Sequence, residues 1–140
     1  MNSTHLLALA KQARAAAYAP YSGFSVGAAL LTAEGKVFLG CNVENASFTP
    51  TCCAERVAIF KAISEGERSF SAIAVVGGKG EETAPMCTPC GVCRQVLSEF
   101  CEKDLSVILE NEERKPTVFS LGELLPLGFQ LSPEPTSEEL

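Results

Sequence analysis

The sequence predicts an α/β domain built on one sheet, and three observations predict it. Short apolar runs bounded by Gly, Pro or charged turns read as strands. Longer stretches whose apolar residues recur at three and four read as helices. Their order is helix, two strands, helix, strand, helix, two strands and a short closing helix, which suits a single sheet with helices packed on it. With 140 residues the chain can bury a real core as one domain, placed at 1–130, and a loose acidic C-terminal tail is expected over 131–140. No internal repeat and no second domain is visible.

Residues 3–18 open the chain as a helix, with Leu6, Leu7, Ala10, Ala13 and Ala17 along one face and many alanines to favour it. Pro20 ends it. Residues 26–32 and 37–43 are strand-like, and the turn Ala33-Glu34-Gly35-Lys36 makes them a hairpin. A second helix is expected over 53–65, with Gly66 as its stop and Val57, Ile59, Phe60 and Ile63 on its inner face. Residues 70–76 form a buried strand bounded by Gly77-Gly78, and 77–86 read as a loop. Thr88 as N-cap and Pro89 at the first helical position open a third helix with Val96, Leu97 and Phe100 toward the core. Residues 105–109 and 117–119 supply two last strands, and Ser120 to Glu123 has capping-box spacing.

Composition narrows the function. The formal net charge is -6 and no run of Lys or Arg is present, which argues against gripping a nucleic-acid backbone. A small or uncharged substrate fits better. No apolar run approaches the ~20 residues of a membrane span, and no signal-like segment opens the chain. Seven cysteines make an odd count, so reduced thiols in the cytoplasm are expected rather than a disulfide scaffold.

Three of those cysteines carry the chemistry. Cys53-Ala54-Glu55 is followed, after room for a helix and a strand, by Pro89-Cys90-Gly91-Val92-Cys93. Catalytic zinc takes three protein ligands and leaves a fourth position open. Cys53, Cys90 and Cys93 supply three thiolates, and Glu55 places a carboxylate where a proton must be moved. Both groups fall at expected helix starts, where free N–H groups stabilise thiolates. Three thiolates on a divalent ion leave one surplus negative charge, which Arg56 is placed to offset. Other readings stand beside this one. Cys41 and Cys101 suit small buried apolar side chains, and Cys52 is an alternative to Cys53. Cys87-Thr88-Pro89-Cys90 overlaps the second pair and on its own suits a redox or structural site. His5 reads as a solvated residue.

The combination of Cys-x-Glu with Pro-Cys-x-x-Cys resembles the zinc nucleobase deaminases. The resemblance narrows to the small cytidine deaminases through Tyr18-Ala19-Pro20-Tyr21-Ser22-Gly23-Phe24-Ser25-Val26-Gly27, Gly40-Cys41-Asn42-Val43-Glu44-Asn45-Ala46, Pro89-Cys90-Gly91-Val92-Cys93-Arg94-Gln95, and Glu123-Leu124-Leu125-Pro126 with Phe129. It implies a three-layer α-β-α fold with a mixed five-stranded sheet, and zinc-dependent hydrolysis of cytidine and deoxycytidine to the uridine forms and ammonia. It further implies a homotetramer with shared sites. Carried over by position, Cys53, Cys90 and Cys93 hold zinc, Glu55 moves the protons, and Arg56 tempers the thiolates. Phe24, Asn42, Val43, Glu44 and Phe129 form the substrate site, with Asn42 and Glu44 on the ribose. Phe48 departs from the family's usual Tyr, and Thr49-Pro50-Thr51-Cys52 is an unusual approach to the first ligand. Rival functions are a same-fold deaminase for another cytosine nucleoside such as blasticidin S, a nucleic-acid editing enzyme, and a non-enzymatic zinc module. Asn42 with Glu44, the acidic balance and Glu55 respectively weigh against them.

Overall fold

A computed structural model describes residues 1–131. In chain order it contains α1 (Ser3–Ala13) with a 3-10 turn (Arg14–Ala16), β1 (Phe24–Thr32), β2 (Val37–Cys41), α2 (Ala54–Ser64), β3 (Phe70–Lys79), α3 (Gly91–Phe100), β4 (Ser106–Glu110), β5 (Pro116–Ser120) and α4 (Leu121–Leu124). The strands form one mixed sheet in the order β2-β1-β3-β4-β5. β3 and β4 run parallel and every other neighbouring pair is antiparallel. The tail expected over 131–140 falls outside the described residues apart from Leu131.

Strand residues alternate between the two faces, and that alternation makes the three layers. Ala28, Leu30, Ile73, Val75, Val107 and Leu109 point to one side, where they join Ala58, Ile59 and Ala62 of α2 and Leu97 of α3. Ala29, Ala72, Ala74, Val76 and Ile108 point to the other and meet Leu6, Leu7 and Ala10 of α1. The expected α-β-α sandwich is therefore present.

Several boundaries differ from expectation for local reasons. α3 begins at Gly91 rather than at Pro89, because Cys90 takes the N-cap position and its sulfur accepts from the Cys93 N–H at 3.5 Å. β3 runs through Gly77-Gly78 to Lys79, paired with β1 as far as Phe24. The two glycines are spacers rather than a stop. A Cβ at Gly77 would lie 2.7 Å from the ring of Phe24, and one at Gly78 would lie 2.7 Å from Thr83 Cα. β2 ends at Cys41, and Val43 instead bridges Tyr18 and Cys52.

The inner face of α2 is the largest correction. Phe60 is 46% exposed, whereas Ile59 is buried and Ile63 packs against the core as expected, and Ala54, Ala58 and Ala62 supply the rest of the buried face. Gly40 of β2 explains this. A Cβ there would lie 2.6 Å from the Ala58 nitrogen, so the backbone of α2 rests directly on the sheet and only methyl groups fit between. Other expectations hold. Gly66 stops α2 with φ +95, and Ser120 and Glu123 form the capping box of α4.

Candidate active site and metal centre

The two helices on one face of the sheet point their N-termini at each other's sulfurs. Cys53 is the N-cap of α2, Cys90 is the N-cap of α3, and Cys93 stands in the first turn of α3. Their sulfur atoms all lie within 4.8 Å of one another, and Cys53 Sγ is 3.8 Å from Cys90 Sγ. Zinc–sulfur bonds of ~2.3 Å at a tetrahedral angle set sulfurs about 3.8 Å apart, the separation of Cys53 and Cys90, so this donor set suits zinc. The cluster contains Cys53 and not Cys52, whose backbone is instead paired both ways with Val43 at 2.9 Å. Cys41 and Cys101 stand apart from it, and Cys101 packs against the core as expected.

Hydrogen bonding in the cluster favours a thiolate at Cys53. A hydrogen bond from Cys93 draws the Cys53 thiol down to about 5, with Arg56 reinforcing the effect. Cys93 is pushed up in turn, first because it donates to Cys53 and then by burial. Arg56 Nη2 donates to Cys53 Sγ at 3.3 Å, which pushes the guanidinium further from deprotonation. Glu55 stands in the first turn of α2, with a relative exposure of 4%. Burial pushes its carboxyl up to about 7, and the negative charge on Cys53 adds to that. A buried carboxyl able to carry a proton thus stands beside three sulfurs that could hold a metal, a combination that suits hydrolytic metal chemistry.

Residues 1–109 match the family model described as the cytidine and deoxycytidylate deaminase zinc-binding region. The chain belongs to this deaminase family. A cytidine deaminase from Sporosarcina psychrophila is 46% identical over 129 residues, 92% of each chain. One from Mycobacterium tuberculosis is 43% identical over 90% of this chain and 88% of its own. The crystal structure of cytidine deaminase from Burkholderia pseudomallei superimposes with a TM-score of 0.83 at 51% identity, covering 92% of this chain and all of that one.

The remaining residues matched to the deaminase family lie along β1, the end of β2 and the C-terminal segment. Asn42 is buried and its amide faces the start of β1, with Oδ1 accepting from Val26 N and Nδ2 donating to Phe24 O, each at 2.8 Å. One amide hydrogen and one oxygen lone pair are left over. Glu44 accepts from the Tyr21 and Ser22 N–H groups at 3.0 Å and from Ser22 Oγ at 2.5 Å. The Ser22 hydroxyl bond, followed by the backbone bonds, holds its carboxyl below the usual range. Three of its roughly four acceptor positions are in use, leaving one for an incoming hydroxyl. Val43 is 44% exposed between them. Phe24 is half-buried over Gly77.

Phe129 is 67% exposed with its backbone bonded to Gln95 of α3, and Phe48, 71% exposed with φ +62, meets Tyr21 edge-on. A surface cleft of about 610 Å³ bounded by Asn2, His5, Leu31, Glu34 and Ser71 touches none of the sulfurs or Glu55. The sequence reading assigns no role to Ser22 or Gln95. Ser22 lies inside the quoted motif, and its pairing with Glu44 is a tertiary contact that no local spacing signals.

Proposed function

We propose that the chain hydrolyses cytidine and deoxycytidine to uridine and deoxyuridine, one water entering and one ammonia leaving for each nucleoside. The observation that carries this reading is the buried Glu55 carboxyl beside the three clustered sulfurs, in a chain of the deaminase family. Zinc held by Cys53, Cys90 and Cys93 would supply the acidity that makes water a nucleophile near neutral pH. Glu55 takes a proton from the attacking water, delivers it to the pyrimidine ring nitrogen, and returns a proton to the departing amine. Arg56, bonded to Cys53, offsets the surplus charge of three thiolates. Phe24 packs on the base, with Val43 along its edge. The free positions on Asn42 and Glu44 take the ribose hydroxyls.

Nucleoside selectivity follows from the sugar contacts. Free cytosine lacks the hydroxyls these positions take and should be a poor substrate, because sites built to bond a hydroxyl discriminate steeply against analogues without it. Cytidine monophosphate should also be poor, because Glu44 and the overall acidity repel a phosphate. Steady-state rates on cytosine, cytidine, deoxycytidine and cytidine monophosphate test this. Glu44→Ala is expected to lower kcat/KM for cytidine at least tenfold with zinc retained. Comparable efficiency on cytosine and cytidine, or normal handling of cytidine by the Glu44 variant, would reject the sugar assignment.

A homotetramer in which Phe129 completes a neighbour's pocket is the assembly this reading takes. Leu127 and Leu131 are 92% and 81% exposed on either side of Phe129, an apolar stripe that supports burial against another copy. Light scattering should give four chains per particle, and a fully active monomer would reject the shared site. Pyrimidine salvage in the cytoplasm is the setting that suits seven free thiols.

A further inference from the structure

The two residues after Cys93 fasten the C-terminal segment to the metal-ligand helix. Arg94 donates from Nε to Pro89 O at 2.7 Å and from Nη1 to Leu124 O at 2.8 Å. Gln95 commits both ends of its amide to a single residue. Its Nε2 donates to Phe129 O at 2.6 Å, and its Oε1 accepts from Phe129 N at 2.9 Å. That exchange is the one a hydrogen-bonded pair makes across an antiparallel ladder, here supplied by a side chain. Next to it, Gly128 lies so close to α3 that an added Cβ would sit 2.5 Å from Ser98 Oγ. The side chains of Leu127 and Phe129 face outward, so burial of those two on this chain does not hold the segment. Hydrogen bonds to the main chain do.

We propose that Gln95 is a positioning residue for the pyrimidine site, setting the direction of Phe129 in register with the helix that carries Cys93. The proposal rests on the reading above in which Phe129 completes a substrate pocket. An aromatic side chain on an unclamped segment would lose binding energy to ordering its own backbone each time substrate arrived. Gln95 removes that cost beforehand by holding both polar atoms of the Phe129 backbone. Phe129 contacts the ground state and the transition state alike, so loss of the clamp raises KM and leaves kcat in place.

The test is a double-mutant cycle on the zinc-loaded enzyme, using Gln95→Ala, Phe129→Ala and both together. Each single variant should raise KM for cytidine about tenfold, the size expected from two ordinary hydrogen bonds or one aromatic contact, with kcat and zinc content unchanged. The double variant should be no worse than Phe129→Ala, because Gln95 acts through Phe129. Gln95→Glu, which keeps the volume but lacks the Nε2 donor, should behave like Gln95→Ala. The chain contains no Trp, so Phe129→Trp supplies a unique fluorescent reporter. Its anisotropy should fall when Gln95→Ala is added. Additive effects in the cycle, a loss of zinc or kcat in the Gln95 variants, or an unchanged anisotropy would overturn the clamp. If anisotropy falls but neither single variant alters KM, Phe129 is not at the substrate site. The shared-pocket reading then fails, and the proposal fails with it.

Discussion

Glu55→Gln is expected to keep the fold and about one zinc per chain while losing most turnover. The amide reproduces the shape of a carboxyl held at 4% exposure, so packing is undisturbed. It cannot carry a proton. General acid-base groups typically contribute ~10²–10⁴-fold, and the loss here should reach or exceed the upper end because one residue serves more than one transfer. Thermal stability should not fall, since burial already disfavours the ionised form that the substitution removes. Single-turnover deamination of cytidine, followed as loss of ultraviolet absorbance, checks the chemical step directly. Near-normal turnover would remove Glu55 from the mechanism.

Ala in place of Cys53, Cys90 or Cys93 is expected to abolish both metal and activity. Zinc bound by cysteines is worth on the order of 10 kcal/mol in small zinc-dependent domains, and two ligands cannot retain it. Stability should fall as well, because an ion held by these cysteines would join the starts of α2 and α3. Cys41→Ala and Cys101→Ala should keep full zinc, since neither belongs to the sulfur cluster. The Cys101 thiol is pushed up to about 12 by burial, as suits a packed side chain and not a thiolate. Metal analysis of the purified variants decides the matter. Full zinc in Cys53→Ala would reject the ligand set and leave Cys52 as the neighbouring thiol to examine.

The five strands are legible in the sequence because they rest on local signals, while the three layers and the pairing of Cys53 with Cys90 and Cys93 follow from the resemblance to the deaminases. Strand runs, turn residues and Cys-x-x-Cys at a helix start act over a few residues. The misjudged features depend on contacts from elsewhere. Gly77-Gly78 looks like punctuation, yet the glycines lie within β3 because the Phe24 ring and the Thr83 backbone occupy the space of their missing side chains. Thr88-Pro89 has the grammar of a helix start, but the helix begins two residues later, where the Cys90 sulfur caps it by accepting from the Cys93 N–H. The spare capacity of Asn42 and Glu44 was also hidden. Their spacing suggests a sugar grip, whereas their bonds to Val26, Phe24 and Ser22 appear only when β1 and β2 are side by side.

The seat of α2 on Gly40 bears on how Glu55 is held. Ala54, Ala58 and Ala62 lie at fourfold spacing on its buried side, and the sheet answers with a glycine. Gly and Ala have no side-chain torsions to freeze, so docking this part of the helix costs no rotamer entropy. Where Gly40 meets these alanines there is no alternative side-chain packing to adopt. α2 can move there only as a rigid rod, and steric contact at Gly40 blocks motion toward the sheet. Cys53 and Glu55 ride on its first turn. Their placement is settled during folding, and little reorganisation is left for the moment when substrate reacts.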